Sequence, residues 1–252
     1  MSWRGVGDAY AASYASLCAG TGVRLRELAG AAHGRTLLDV GAGEGTLAVQ
    51  WADAGWRVTA AEPEPSMRAA AARQHPSLSV IDATLPDLPL ADGAFDVVVA
   101  NFVLNHLDDP LEGARALRRV AADAVIATTW THSPSAFWAD VTARAGRAPR
   151  PAKGLVADKD FERTAAGFGR MLTDAGWHPE VSELTWTWRP TSDALWRSVD
   201  GGVAGAGAFY RGLEVGEQRQ FRAAFDEVVG ERARSGRVEL THTAAIAIDS
   251  RR

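Results

Sequence analysis

The sequence predicts an α/β protein built on a doubly wound, mostly parallel sheet. Between residues 36 and 130, short apolar runs alternate with stretches of helical periodicity, the pattern of buried parallel strands joined by helices. The first run ends in a glycine-rich turn over 41–45, and the next two end at the acidic residues Glu62 and Asp82. Because such sheets bind ligands at the carboxyl ends of their strands, we expect a ligand site along this edge.

Two helices are predicted before the sheet. Residues 8–19 have helical character and are closed by Gly20, and Thr21 can cap a second helix that ends at Gly30. Strands are expected over 36–40, 57–61, 78–81, 95–100 and 123–129, and helices over 44–54, 64–73 and 110–120. In the second half, strands are expected over 181–188 and 238–248, with helices from Thr191 and over 213–233. The glycine-rich stretch 201–207 is expected to be a flexible lid segment.

The turn after the first strand has the features of a cofactor-binding loop. Gly41 and Gly43 allow a tight turn and a close approach of a ligand to the backbone, and the helix that begins near Glu44 presents free N–H groups. The dinucleotide fingerprint requires a glycine at the position of Thr46, but the third glycine comes one residue early, at Gly45. A nicotinamide dinucleotide therefore matches this turn poorly.

Acidic residues at the ends of the next two strands indicate an adenosine. Glu62 lies 21 residues after Gly41, where a carboxylate can accept hydrogen bonds from both ribose hydroxyls, an arrangement that NAD and S-adenosylmethionine share. Asp82 ends the third strand beside the same crevice, where an acceptor suits the adenine amino group. The alternative for Asp82 is a helix cap or a solvated loop residue.

Four motifs occur in order between residues 36 and 107. They are residues 39–45, Glu62–Pro63, Asp82–Ala83 and the stretch from Asp92 to Asn101. Together they resemble the motifs of the class I S-adenosylmethionine-dependent methyltransferases. The resemblance implies a Rossmann-like, seven-stranded, mostly parallel sheet with an antiparallel last strand, together with N-terminal helices and a helical cap insertion.

The resemblance also implies a cofactor, S-adenosyl-L-methionine, and a product, S-adenosyl-L-homocysteine. The expected cofactor-binding residues are Tyr14, Asp39, Gly41, Ala42, Gly43, Glu62, Pro63, Met67, Asp82, Ala83, Asn101 and Phe102. Within this set, Glu62 would take the ribose hydroxyls, Asp82 the adenine amino group and Asn101 the ammonium side. Tyr10 and Tyr14 resemble tyrosines that fold over the donor in this family, with simple helix packing as the alternative.

Length and resemblance favour one methyltransferase domain over residues 1–252. We expect N-terminal helices over 1–35, a cofactor-binding core over 36–130 and an acceptor-side half over 131–252, with the cap insertion at about 190–236.

Composition excludes several classes of protein. The single cysteine, Cys18, excludes an internal disulfide, a cysteine-ligated zinc site and the cysteine cluster of a radical enzyme, and no metal is expected. The chain has no run of some eighteen apolar residues and does not begin like a secretion signal. We therefore expect a cytoplasmic monomer or homodimer without a membrane partner.

The acceptor is expected to be a small, aromatic or hydrophobic molecule, such as a compound of secondary metabolism. Six of the nine tryptophans follow the fifth strand, and aromatic walls can exclude water and align reactants, although core packing accounts for many of these rings. The net charge of −4 lacks the footprint of a nucleic-acid enzyme. Enzymes that methylate exocyclic base amines carry Pro-Pro directly after the Asn or Asp at the end of the fourth strand. In this chain Asn101 is followed by Phe102 and Val103 instead.

Two histidines are candidates for the catalytic base. His106 lies a few residues after Asn101, and His132 follows the fifth strand. A packed or solvated loop histidine is the alternative for each. His242 alternates with apolar residues in the last strand, which is typical of a satisfied core histidine.

Two functions remain open. The first is methyl transfer to an oxygen, nitrogen or carbon atom of the acceptor by in-line displacement in a dry pocket. The second is a protein of this fold that binds the cofactor as a scaffold for a non-methylating reaction, such as a cyclisation. A nicotinamide-dependent oxidoreductase is a distant third, because Thr46 interrupts its fingerprint and no Tyr-x-x-x-Lys pair follows.

Overall fold

A seven-stranded sheet forms the centre of the computed structural model, which describes residues 3–133, 135–148 and 159–251. The strands are β1 (Thr36–Val40), β2 (Arg57–Ala61), β3 (Val80–Ile81), β4 (Phe95–Ala100), β5 (Ala121–His132), β6 (Glu180–Trp188) and β7 (Leu240–Ser250). Their order is β3-β2-β1-β4-β5-β7-β6, and β7 is antiparallel to both of its neighbours, whereas the other pairs are parallel. The predicted fold class, with its antiparallel last strand, is confirmed.

Helices flank the sheet and precede it. The α-helices are α1 (Gly7–Ala11), α2 (Tyr14–Cys18), α3 (Gly22–Ala29), α4 (Thr46–Asp53), α5 (Pro65–Gln74), α6 (Pro110–Val120), α7 (Ser135–Arg144), α8 (Ala165–Asp174), α9 (Ser192–Asp200), α10 (Ala204–Arg211) and α11 (Val215–Arg232). Short 3-10 helices occupy Ala19–Thr21 and Leu104–His106.

Both faces of the sheet are covered. On one face, Leu38 and Val98 belong to an apolar cluster that includes α6 and α8. On the other face, Leu37 and Val97 pack with α3 and α4. A further cluster lies where α2, α7, α9 and α11 meet the ends of β6 and β7, and it holds most of the aromatic rings of the second half. This cluster lies on the side expected to receive the acceptor.

Several predicted elements have the expected bounds, but the helix after the glycine turn starts later than predicted. It begins at Thr46 and not at Glu44, because Gly45 at its N-cap is left-handed, with φ of +92°. A Cβ at Gly45 would lie 2.8 Å from Leu78 Cδ2, so the position suits glycine. The β1, β2 and β4 bounds agree with the sequence, whereas β5 extends from residue 121 to residue 132.

The predicted single helix over 8–19 is wrong. The chain breaks between α1 and α2 at Ser13, whose φ and ψ are −140° and −87°. There Ser13 Oγ donates to the carbonyl oxygen of Ala9 at 2.5 Å, which is the kind of local hydrogen bond that competes with a continuous helix. Tyr10 and Tyr14 therefore lie on different helices and do not share a face.

The expected flexible segment over 201–207 is also wrong in part. Residues 204–211 form α10, which packs against α9. A Cβ at Gly207 would lie 2.3 Å from the backbone of Gly202, so this glycine permits close packing within the insertion.

Candidate functional site

The glycine turn after β1 is folded back on the end of β2. Gly41 N–H donates to the carbonyl oxygen of Ala61 at 2.7 Å, and the φ angles of Gly41 and Gly43 are +69° and +60°. A Cβ at Gly41 would lie 2.5 Å from Val103 Cγ2. The positive φ and the close approach of Val103 both require glycine at position 41.

Glu62 is held against this turn by backbone donors. Its Oε2 accepts from Gly43 N–H and its Oε1 accepts from Glu64 N–H, each at 2.9 Å. The residue is buried, and burial raises the pKa of Glu62 while the two donors oppose the rise. Each carboxylate oxygen keeps a further lone pair, so the group can still accept hydrogen bonds from a ligand.

Two more buried carboxylates face the turn. Asp39 and Glu44 are both 2% exposed, and Asp39 Oδ2 and Glu44 Oε2 have no hydrogen-bond partner among the described residues. Glu44 Oε2 lies 3.6 Å from His75 Nε2. Burial, reinforced by the charges of Glu62 and Glu44, raises the pKa of Asp39 to about 7. Unpaired buried oxygens of this kind are suited to a cationic or hydrogen-bond-donating ligand.

These carboxylates line a small cavity over the turn. Its lining includes Tyr10, Asp39, Gly41, Ala42, Glu44 and Asn101. The volume is about 20 Å³, close to that of a single water probe. The ring of Tyr10, which lines the cavity, also lies close to the turn, because a Cβ at Gly43 would be 3.2 Å from Tyr10 Cε1. The N-terminal segment thus covers the turn.

The N-terminal segment is attached on two sides. Gly5 N–H donates to Glu64 Oε1 at 3.0 Å, and Gly7 N–H donates to Ser66 Oγ at 3.1 Å, which ties α1 to the start of α5. On the other side, the carbonyl oxygen of Cys18 accepts from Asn101 Nδ2 at 3.0 Å.

Asn101 joins the segment to the sheet. Its Oδ1 accepts from Thr128 Oγ1 at 2.8 Å and lies 3.0 Å from Thr21 Oγ1. The single hydroxyl proton of Thr21 is shared between Asn101 Oδ1 and the carbonyl oxygen of Cys18, which also lies 3.0 Å away. The next residue, Phe102, has φ of +59° and stacks on Trp130 with ring centroids 3.8 Å apart.

Four more of the expected cofactor-binding residues follow β2, lie in α5 or follow β3. Met67 and Ala83 are buried, whereas Pro63 and Asp82 are exposed. Asp82 Oδ2 accepts from Arg68 Nη2 at 2.8 Å.

Tyr14 is not among the residues that line the cavity. Its hydroxyl accepts a hydrogen bond from Trp138 Nε1 at 2.8 Å, and its ring packs edge-on against Trp188 with centroids 5.7 Å apart. Tyr10, and not Tyr14, lies over Gly43 because the chain breaks between the two tyrosines.

The two predicted catalytic histidines are both exposed. His106 ends the 3-10 helix after β4, and its ring meets the edge of Trp3 with centroids 5.0 Å apart. His132 ends β5 opposite Thr243 in β7. Neither histidine is among the residues that line the cavity.

Sequence reasoning missed the character of His242. The residue is 2% exposed, yet neither Nδ1 nor Nε2 has a hydrogen-bond partner among the described residues, so it is not the satisfied core histidine that the strand pattern indicated. Burial, together with the nearby His132, lowers the pKa of His242 to about 4. The rings around it are those of Trp130, Trp186 and Trp188.

A wider depression lies elsewhere, between α7 and α11. Its volume is about 490 Å³, and its walls carry ion pairs such as Arg147 with Glu217. It has no unpaired buried side chain among its described lining residues, so we place the candidate site at the glycine turn. Within the described ranges, no cluster of His, Cys, Asp and Glu side chains could hold a metal ion, and no helix is long and apolar enough to cross a membrane.

The part of the chain that carries the glycine turn resembles known proteins. A family model described as a methyltransferase domain matches residues 38–126, which contain the glycine turn, Glu62, Asp82 and Asn101. The demethylmenaquinone methyltransferase of Renibacterium salmoninarum is 35% identical over 91 residues, a match that covers 36% of this chain and 38% of that enzyme. The chain thus spans only 37–38% of the length of the first curated relatives it matches.

Solved structures resemble the whole fold at low sequence identity. The YcgJ protein of Bacillus subtilis has a TM-score of 0.58 at 14% identity, and the match covers 92% of this chain and 99% of that protein. The [4+2]-cyclase SpnF has a TM-score of 0.51 at 17% identity, with 94% and 81% covered. Residues 38–126 are therefore a methyltransferase domain, and the described chain shares the Rossmann-like fold of these solved structures.

Proposed function

We propose that the protein transfers a methyl group from S-adenosyl-L-methionine to a small, aromatic or hydrophobic acceptor, and releases S-adenosyl-L-homocysteine. The observation that carries this proposal is the group of three buried carboxylates, Asp39, Glu44 and Glu62, around the turn at Gly41 and Gly43.

The chemistry of these side chains fits the cofactor. Asp39 and Glu44 each have a buried oxygen without a hydrogen bond, which can accept from an ammonium group, and their charges would offset a positive charge. Glu62 is fixed by Gly43 N–H and Glu64 N–H and can accept from ribose hydroxyls. When bound, the cofactor would supply an electrophilic methyl group on a sulfonium.

The remaining predicted residues would bind or position the adenine end and the covering segment. Met67 and Ala83 offer buried apolar contacts, and exposed Pro63 and Asp82 lie at the rim. Asn101 holds the carbonyl of Cys18 and would act through the position of the N-terminal segment.

The protein's contribution to the reaction would be exclusion of water and alignment. The N-terminal segment covers the turn through Tyr10, and Phe102 and Trp130 form a stacked wall beside Asn101. Methyl transfer disperses charge along a line, so a dry and ordered site supplies much of the rate.

The acceptor proposal draws on the aromatic cluster and on the charge of the chain. A relative is named as acting on demethylmenaquinone, which is compatible with a ring-bearing, hydrophobic acceptor here. The net charge of −4 argues against a nucleic acid. We also propose that the protein acts on this substrate in the cytoplasm, as a monomer or a homodimer.

Titration calorimetry with S-adenosylhomocysteine and with NAD tests the cofactor. We expect binding of the former, and Glu62→Ala should weaken it by about 1.5–3 kcal/mol, the range for hydrogen bonds to a charged group. Glu27→Ala, which removes an exposed carboxylate on α3, is the control and should leave binding unchanged. Tight NAD binding without S-adenosylhomocysteine binding would overturn the proposal.

A second candidate is a cofactor-bound scaffold for a non-methylating reaction such as a cyclisation. The fold of the protein resembles that of the cyclase SpnF, which supports this second candidate. A metabolite screen followed by mass spectrometry separates the two, because methyl transfer adds 14 mass units, roughly one CH₂, and consumes cofactor, whereas a cyclisation does neither.

A further inference from the structure

We propose that His242 and Trp186 form the binding site for the acceptor, and that the group they bind is a hydroxyl on an aromatic or conjugated ring. This inference rests on the proposed function, which supplies a methyl donor and leaves the acceptor atom open.

His242 is a buried histidine that lacks a partner. Both ring nitrogens are without a hydrogen bond among the described residues, although the residue is only 2% exposed. A polar group in this state costs free energy unless a ligand or water satisfies it. Its lowered pKa keeps the ring neutral near pH 7, with one nitrogen that accepts and one that donates.

Trp186 offers the complementary donor. It lies opposite His242 in the register of β6 and β7, with ring centroids 6.0 Å apart, and its buried Nε1–H also has no partner. The neighbouring indole of Trp188 is satisfied, since its Nε1 donates to Ser16 Oγ at 3.0 Å. Two side chains with unsatisfied polar atoms therefore lie on the same face of neighbouring strands.

The pair lies close to the proposed cofactor site. The ring of Trp130 is 5.9 Å from His242 and 5.5 Å from Trp186, centroid to centroid, and it stacks on Phe102. Phe102 directly follows Asn101, which lines the cavity over the glycine turn. The aromatic cluster is thus continuous with the cofactor side.

This combination of groups selects a hydroxyl. A hydroxyl donates one hydrogen bond and accepts others, so it can satisfy a neutral nitrogen of His242 and the N–H of Trp186 together. A carboxylate would leave the accepting nitrogen of His242 without a donor, and an ammonium group would leave the N–H of Trp186 without an acceptor. The surrounding indole faces favour a flat ring as the carrier of the hydroxyl.

In methyl transfer, His242 would accept the hydroxyl proton while the acceptor oxygen forms its bond to the methyl carbon. The carbon–sulfur bond breaks and its electron pair stays on sulfur, so the positive charge of the sulfonium ends on the imidazolium. The acceptor leaves as a neutral methyl ether, and His242 then releases the proton to solvent.

The N-terminal segment closes this site in the structure. A Cβ at Gly20 would lie 2.2 Å from Trp186 Nε1, so the backbone at Gly20 lies directly on the indole. Entry of an acceptor therefore requires a shift of the segment that also carries Tyr10.

Calorimetric titration with 2-naphthol and with 2-methoxynaphthalene, in the presence and absence of S-adenosylhomocysteine, tests the inference. The ether can accept from Trp186 but cannot donate to His242. We expect wild-type protein to bind 2-naphthol about five- to tenfold more tightly than the ether, the ratio for one hydrogen bond.

Variants of His242 and Trp186 test which side chain causes the tighter binding of 2-naphthol. His242→Phe, or His242→Leu if the former does not fold, should abolish the preference, whereas His178→Phe on the exposed loop before β6 should keep it. Trp186→Phe should weaken the binding of 2-naphthol and of 2-methoxynaphthalene by the same factor. Trp51→Phe, which removes a buried unpaired indole N–H on α4, is its control.

The outcomes distinguish this inference from the proposed function. A wild-type protein without the preference, or a His242→Phe variant that keeps it, overturns the hydroxyl site even if S-adenosylhomocysteine binds. A His242-dependent preference without S-adenosylhomocysteine binding supports the hydroxyl site and overturns the proposed function.

Discussion

Replacing Asp39 by asparagine should stabilise the free protein at alkaline pH and weaken cofactor binding. Asp39 is buried beside Glu44 and Glu62, and its Oδ2 is unpaired, so its negative charge is unfavourable until a cation binds. Asparagine removes the charge and keeps the shape. Stability and binding should therefore change in opposite directions.

The size of the effect follows from the pKa. The folded-state pKa of Asp39 is raised from 3.8 to about 7, so the folded protein holds a proton that the unfolded chain releases. The free energy of unfolding consequently falls as pH rises from about 4 through about 7. A shift of about 3 units corresponds to an upper limit of about 4 kcal/mol above pH 7, at 1.36 kcal/mol per unit.

Thermal unfolding of both proteins at pH 5 and pH 8 measures this difference. The stability advantage of Asp39→Asn should be larger at pH 8 by about 1–3 kcal/mol, or roughly 2–12 °C in Tm. Asp82→Asn changes an exposed carboxylate paired with Arg68. The difference in stability between this variant and the wild-type protein should be the same at pH 5 and at pH 8. An advantage that is equal at the two pH values, or a less stable variant at pH 8, would refute the reasoning.

Three further predictions concern the turn, its cover and the core. Gly41→Ala should lower the free energy of unfolding in urea by about 1–3 kcal/mol, because Gly41 has a positive φ and a Cβ there would meet Val103. The double variant with Val103→Ala should recover part of this loss, and full recovery would argue against backbone strain. Tyr10→Ala uncovers Gly43, so stopped-flow association of S-adenosylhomocysteine should accelerate; an unchanged rate would show that Tyr10 does not limit access. Trp177→Phe removes the buried hydrogen bond to the Ala114 carbonyl oxygen and should cost about 1–3 kcal/mol by chemical denaturation, so a neutral result would contradict its role.

The sheet was predictable because its signals are local. The strands β1, β2 and β4 are apolar runs with turn residues at both ends, and Thr191 caps α9 through Ala194 N–H as expected. The break at Ser13 was not predictable from periodicity, because it depends on a side chain that binds its own backbone. The late start of α4 follows from the left-handed φ of Gly45, which lies close to Leu78, and helical periodicity does not record either feature.

The candidate site was predicted where spacing along the chain fixes position. Glu62 meets the turn because parallel pairing places the end of β2 beside the end of β1. The environment of His242 depends instead on pairing with β6 and on cover by the N-terminal segment. An alternating strand pattern records that a residue is buried, but it carries no information on whether a buried polar atom has a partner.

The N-terminal segment touches both halves of the proposed site at once. Tyr10 lies over Gly43 on the donor side, and Gly20 lies on Trp186 on the acceptor side. Asn101 holds the segment between these two contacts and α5 holds it just before Tyr10, so a displacement of the whole segment would free both. The exchange of donor and acceptor would then share one gate, and the opening rate of that gate would set an upper limit on turnover.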